Sequence, residues 1–490
     1  MMATRFVMSI SLWFEPIWRF CSFGLNQLEA QIPFRSTFLI AKKNHAAKFG
    51  ETLPLFGQSG DRVHSSLAQR LAVTGSLPRN LHRAGSPIRI GFLAPLSGPS
   101  SPWGTPGLEG CLIWANWVNE QGGLAIGQQR RRVEVLARDA AISDQETRIA
   151  ATELVERAGV RIILTLGGDS LAPALPWLMS RRVLTTTLLP FDLSPETPTL
   201  IAPAEVHPIF VVTGVEWLAS TRPELKRVAL CSQQDMMGLP SLATYRAAFA
   251  AEGMQIVREL RYPPQTADAA GMVAAMLQDD PQVLCWCSSE PHMVHALTEA
   301  AFQAGFAGPI LSCTGDNYRR MVARTSAAFM ENFIFHFPDF DDPALAETAF
   351  FFRQPAAFHA AYQQRYPGHW SAVSWEYAAA LDLWQQAVEI AGSTDPAKAL
   401  DSMKRGGQMM QVFGPARWYG EALFGIDNAL IGSWPVVRVS QGVARIAGFR
   451  SVLGWLDRHE PLLLCEMQAL GLLWQQRAGM GPAGAVSPLA

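Results

Sequence analysis

The chain has 490 residues, more than one hydrophobic core comfortably organises, so two or more domains are expected. Its 49% hydrophobic and 17% charged residues argue against a disordered chain. With 40 basic and 42 acidic residues the net charge is −2, which argues against a nucleic-acid partner; seven scattered cysteines, an odd number, argue against a disulfide framework.

In chain order, Arg5 precedes the apolar run FVMSISLWF (6–14), shaped like a short signal-peptide core, but Glu15 and Pro16 break it and no A-x-A cleavage site follows. Residues 1–87 show little periodicity and are read as a leader or poorly ordered extension outside the fold. From 88 onward, short strand patterns alternate with amphipathic helical ones, which predicts parallel sheets with helices on both faces. One group of strands is IRIGFLA (88–94), VEVLA (133–137), RIILTL (161–166) and RVLTTTLL (182–189). The other is RVALC (227–231), QVLCWC (282–287), PILS (309–312) and FIFH (333–336), and the two groups join near 194–208. The rest is helical to 407 and strand-like at 434–448, and 449–479 reads as a helical tail. No apolar run of about 18 residues predicts a transmembrane helix.

Six polar loops follow strands, where open α/β sheets bind ligands. The first, 95–105, holds Ser97, Gly98 and Trp103 and leads into a helix with Pro106 in its first turn. The second, GGDSLAPALPW (167–177), offers Gly168, Asp169 and Ser170 beside a helix start that favours anions; it also reads as an ordinary turn with Ser170 as N-cap. The others carry Leu189, Pro190 and Phe191; Asp235 and Met237; Ser288 and Ser289; and Thr314 with Asp316. Together they predict a cleft between two lobes that holds a small molecule.

Two motifs suggest other chemistry. GGDSL matches the GDSL-type hydrolases, with Ser170 as nucleophile, but the C-terminal Asp457-Arg458-His459 is one residue short of their D-x-x-H, and a serine without a positioned base is inert. Cys285, Cys287, His292 and His295 have zinc-like spacing, but the cysteines fall in an apolar strand and the histidines on a helix face, which favours core thiols over a metal site. There is no P-loop and no dinucleotide fingerprint, so no cofactor is expected.

IRIGFLAPLSGPSSPWG followed by a helix ending in WVNEQGG resembles the opening of periplasmic binding proteins of the leucine/isoleucine/valine type, the substrate-binding subunits of branched-chain amino acid ABC transporters. VEVLARDAAISDQETRIAATELVERAGVRIIL, YAAALDLWQQAVEIAGSTDPAKAL and FGPARWYG extend the likeness in order across 88–448. The resemblance implies an α/β periplasmic-binding-protein type I fold, with two doubly wound parallel-sheet lobes joined by a three-crossover hinge. Lobe 1 would be 88–207 plus 337–430, lobe 2 would be 208–336 plus 431–448, and 449–490 a helical tail. It also implies that Trp103, with Ser97 and Gly98, borders the ligand, that Gly168, Asp169 and Ser170 hold a ligand carboxylate, and that Leu189, Pro190 and Phe191 complete the first-lobe side. Contacts from lobe 2 would come from Asp235 and Met237, Ser288 and Ser289, and Thr314 to Asp316, with Asp235, Glu290 and Asp316 all open as partners for a ligand ammonium. Phe191 stands where the family usually has a small hydroxyl residue, and Ser288 where it has an aromatic, so the likeness supports a solute-binding protein better than leucine as the solute. The function implied is a non-catalytic periplasmic receptor that delivers an amino acid or related small organic acid to the membrane permease of an ABC transporter, with no cofactor, metal or nucleic acid. A GDSL-like esterase and a cytosolic ligand sensor on the same fold are the alternatives.

Overall fold

The run IRIGFLA forms strand β1 (Ile88–Ala94), buried at every position except Arg89, as a parallel strand covered on both faces requires. It pairs in parallel with β2 (Val133–Asp139) on one side and β3 (Ile163–Thr165) on the other. With β4 (Thr185–Thr186) and β5 (Leu200–Ile201) it makes a five-stranded sheet of order 2-1-3-4-5. These elements belong to a computed structural model that describes residues 86–140, 143–350 and 353–477, so the expected leader lies outside the described residues up to position 85.

The second sheet repeats the same winding. Strands β6 (Arg227–Gln233), β7 (Gln255–Tyr262), β8 (Val283–Cys285), β9 (Ile310–Leu311) and β10 (Phe333–Phe335) are parallel in the order 7-6-8-9-10. In both sheets the winding reverses between the first and third strands, the point at which loops part and leave a crevice. An antiparallel extension follows: β11 (Gln408–Gln411) and β12 (Gly414–Tyr419) form a hairpin, and β12 pairs with β13 (Ala429–Ser440), which carries β14 (Val443–Ser451) and joins β10.

Three passages connect the lobes. Residues 202–208 leave β5 for the second sheet, and the chain beyond β10 returns to place helix α3 (Val373–Ala391) along α1 (Thr105–Glu120). Strand β13 is the third. It starts beside Ala202, whose N–H donates to Asn428 O at 2.9 Å, and its far end sets Arg438 opposite Ile334. The lobe boundary expected at 430/431 therefore falls inside one continuous strand.

Two segments differ from expectation. Strand β7 was not anticipated, because QIVRELRY mixes charge into its alternation; it is the sheet's edge, where Arg258 pairs with Asp279 and Glu259 with Arg246. The tail begins as strand rather than helix. β14 runs to Ser451, whose hydroxyl accepts from Gly454 N at 2.9 Å and so caps helix α4 (Val452–Ala469). This helix lies on α2 (Gly238–Ala251) of the second lobe, burying Trp455, Leu463 and Met467. Past it, Arg477 reaches the first lobe and donates to Leu193 O at 3.1 Å.

Candidate ligand-binding site

The two switch points share a small cavity of about 50 Å³. Trp103 enters it from the loop after β1, at the end of a 3-10 turn over Ser101–Trp103. The turn depends on the next residue, since a Cβ at Gly104 would overlap the Pro95 carbonyl oxygen. Trp103 O accepts from Tyr377 Oη at 3.2 Å, and its indole N–H reaches across to the Asp316 carboxylate in the second lobe. Leu166, Leu188 and Leu189, from the ends of β3 and β4, form an apolar wall.

The second lobe contributes Met237, Ser288, Ser289, Thr314 and Asp316. Ser288 Oγ lies 3.1 Å from Nε2 of His207, and Ser289 Oγ donates to Trp286 O at 2.9 Å and meets Tyr262 Oη. Burial lowers the His207 pKa to about 4, so its ring is neutral near pH 7. Asp316 Oδ1 accepts from Ala372 N at 3.2 Å.

The remaining expected residues do not line this cavity. Ser97 and Gly98 are exposed on the outer part of their loop. Asp169 is exposed, and Ser170 Oγ donates to Gly167 O at 2.8 Å, a local turn bond. Gly168 N, expected to hold a ligand carboxylate, donates to Asp192 Oδ2 at 2.8 Å, and Thr187 Oγ1 donates to the same oxygen at 3.0 Å. Gly167 sits at φ +103°, and a side chain there would strike Thr187 and Asp192, so only glycine lets the loop wrap this carboxylate. Burial raises the Asp192 pKa to about 6, against the opposing pull of Gly168 N–H, Thr187 and Arg477. Pro190 is buried, and Phe191 points into the core, edge-on to Phe424 at 5.3 Å with the Arg477 guanidinium 5.8 Å from its ring. Phe191 is thus a packing residue, turned inward because Pro190–Asp192 closes as a tight turn. Asp235 Oδ1 accepts from Met237 N at 3.0 Å and Gly238 N at 2.8 Å at the start of α2, and Glu290 lies 3.1 Å from His292.

The sequence reading missed Glu205 and Glu376. Glu205 lies on the first passage between lobes and Glu376 in the first turn of α3; they are 4% and 1% exposed and line the cavity beside Phe337 and Val373. Their carboxyls reach one another. Burial and mutual repulsion push Glu205 well above the usual carboxylate range, and burial raises Glu376 as well. Glu205 Oε2 and Glu376 Oε1 are buried without any other donor on them. Both stretches carried a signal, a lone acid inside apolar sequence: APAEVHPIFVV and AVSWEYAAAL.

The motifs for other chemistry are placed as follows. Among the described residues no imidazole bonds to Ser170, and His459 lies against Trp455 on α4. Cys285 and Cys287 are buried thiols, as are Cys111, Cys231 and Cys313, whereas Cys465 is exposed. His295 Nε2 lies 2.7 Å from Asp316 O. Among the described residues no group of acids, histidines and cysteines is arranged to hold a metal ion.

Comparison with known proteins follows the same architecture. The sequence matches the periplasmic binding protein family over residues 87–444. The chain belongs to that family. Similar solved structures include an ABC transporter substrate-binding protein from Sphaerobacter thermophilus, at 17% identity and TM-score 0.61, covering 75% of this chain and 98% of that one. A leucine binding protein from Thermotoga maritima matches at 18% identity and TM-score 0.58, covering 74% and 99%. A solute binding protein of an ABC transporter from Rhodopseudomonas palustris BisB5, in complex with 3,4-dihydroxybenzoic acid, matches at 15% identity and TM-score 0.59, covering 74% and 97%. At such identities the likeness is one of fold, the type I fold of two α/β lobes. No curated protein matches the chain. Helix α4 lies beyond the family match, and among the described residues no helix is long and apolar enough to cross a membrane.

Proposed function

We propose that this periplasmic binding protein is an extracytoplasmic receptor that captures a small nitrogen-bearing solute between its lobes and presents it to the permease of an ABC importer. One observation supports the reading: the cavity at the paired switch points is lined from both lobes and contains a carboxyl pair, Glu205 and Glu376, with one oxygen of each lacking a partner among the described residues. A solute there would touch Trp103 and Glu205 on one side and Met237 and Ser288 on the other, so its binding energy would favour the closed arrangement. Solved relatives in the fold bind leucine, isoleucine and benzoates by their own descriptions, which supports a small organic solute without naming it. Amino acids are the class the resemblance implies. A catalytic role has less support, because the hydroxyl of Ser170 is engaged with Gly167 O and lacks a base.

Delivery rests on family membership, and the permease would meet the outer faces of both lobes in the closed form. The test is a thermal-shift screen of amino acids, amides, amines and aromatic acids, since a ligand that binds only the folded chain raises its melting temperature. At least one class should shift it, and the shift should shrink in Trp103→Ala. Hydrolysis of simple esters by the wild type, lost in Ser170→Ala, would replace the receptor reading with an enzymatic one.

A further inference from the structure

We propose that the solute carries a cationic N–H head, an ammonium or amidinium group, and no carboxylate, with Glu205 and Glu376 as its counter-ions. The inference rests on the receptor reading above and narrows its solute class.

The charge content of the cavity is the first argument. Three carboxyl groups line it, from Glu205, Glu376 and Asp316, and no Lys or Arg does. The one imidazole there, His207, is neutral and engaged with Ser288. The other titratable groups facing the pair are Cys313 and Tyr377, which burial keeps protonated. Nothing in the wall can neutralise a ligand anion.

The second argument is which carboxyls are free. Asp316 is held by Ala372 N and Trp103, Asp235 by two backbone N–H groups, and Glu290 by His292. Each acid expected to meet a ligand ammonium therefore already has a partner. Glu205 Oε2 and Glu376 Oε1 are more than nine-tenths buried and accept from no N–H or hydroxyl of the described residues. Two carboxyls in contact and out of water keep their protons well above the usual carboxylate range, because no cation among the described residues stands beside them to hold the ionised form. A ligand cation would take the place of a proton at the pair, and its N–H groups would supply the missing donors.

The third argument concerns the other end of the solute. The loop after β3, expected to hold a carboxylate with Gly168 N, is filled by the chain's own Asp192, so an acid ligand loses that seat. On its first-lobe side the cavity has an apolar wall of Leu166, Leu188 and Leu189, with Phe337 beside it, suited to a short hydrocarbon tail.

Binding a cation to the pair displaces a proton from it, so affinity should rise with pH by up to about tenfold per unit while the pair titrates, and the heat of binding should depend on the buffer's ionisation enthalpy. The experiment is calorimetry on the full chain with five probes: propylammonium, acetamidinium, neutral butyramide, L-leucine and benzoate. Propylammonium or acetamidinium should bind with proton release, and Glu205→Gln and Glu376→Gln should each weaken that binding at least tenfold. Glutamine copies a protonated carboxyl, and a melting temperature at or above that of wild type shows that each variant is folded. Binding of leucine, benzoate or butyramide in preference to the cations overturns the solute class and leaves the receptor reading standing. Cation binding that ignores pH and both substitutions also overturns it. If none of the five binds and the broad screen is silent, the receptor reading fails and the inference fails with it.

Discussion

Two buried acidic sites of the chain are built in opposite ways. Asp192 is enclosed by donors: Gly168 N–H, the Thr187 hydroxyl and, nearby, Arg477 from the tail. Glu205 and Glu376 are buried as deeply, but among the described residues one atom of each has no donor on it and no Lys or Arg lines the cavity beside them. A satisfied buried acid holds loops together, and an unsatisfied one waits for something from outside. The contrast separates an acid partly compensated within the chain from a pair that, on the proposal above, a ligand would compensate, because desolvation penalises both alike.

That comparison can be broken or sharpened by substitution. The largest effect is expected at the satisfied site: Asp192→Ala leaves the Gly168 N–H without its acceptor, removes one of three acceptors around the Thr187 hydroxyl and should cost about 3 kcal/mol in urea denaturation. A loss under about 0.5 kcal/mol would mean that Asp192 is not holding the loop. Next is Trp103→Ala. The side chain is half-buried against the core and bonded to Asp316, so about 2 kcal/mol of stability should go, less than for a fully buried tryptophan, with ligand affinity falling at least tenfold. Normal binding would remove Trp103 from the site.

Glu376→Gln should act in the other direction. A carboxyl whose folded pKa is raised stabilises the fold when protonated, and that contribution is lost as pH rises through the folded value; glutamine cannot ionise and escapes the loss. Without ligand the variant should match wild type below about pH 4 and gain on it progressively up to about pH 8, read from melting curves across that range. The opposite trend would show a carboxylate that its surroundings hold ionised. The smallest effect is expected from Ser170→Ala. Its hydroxyl makes one local bond to Gly167 O, so about 0.5–1 kcal/mol of stability and at most a twofold change in affinity are expected, measured by denaturation and calorimetry.

Much of the architecture was legible because it is written in local pattern. IRIGFLA and its loop, the glycine-ended helix and the alternation of strands and helices led to two parallel sheets and to Trp103, Met237, Ser288 and Thr314 near their carboxyl ends. What escaped depends on distance in three dimensions. Glu205 lay in a segment read as a joint and Glu376 on a helix far along the chain, and their pairing exists only after the hinge passages converge. Gly168 looked like an anion seat because its loop is one; nothing local reveals that Asp192, 24 residues later, occupies it. Strand β7 hid behind its charges because edge strands tolerate polar residues on their open side.

The buried thiols give the molecule two internal stopwatches. Cys111 is enclosed in α1 of the first lobe, Cys231, Cys285, Cys287 and Cys313 in the second, and Cys465 is exposed on α4. A thiol reagent meets Cys465 at once but reaches the others only when the elements around them part. Peptide-resolved labelling rates would therefore time the transient opening of each lobe separately, and a ligand that clamps the lobes should slow both clocks by the free energy it contributes.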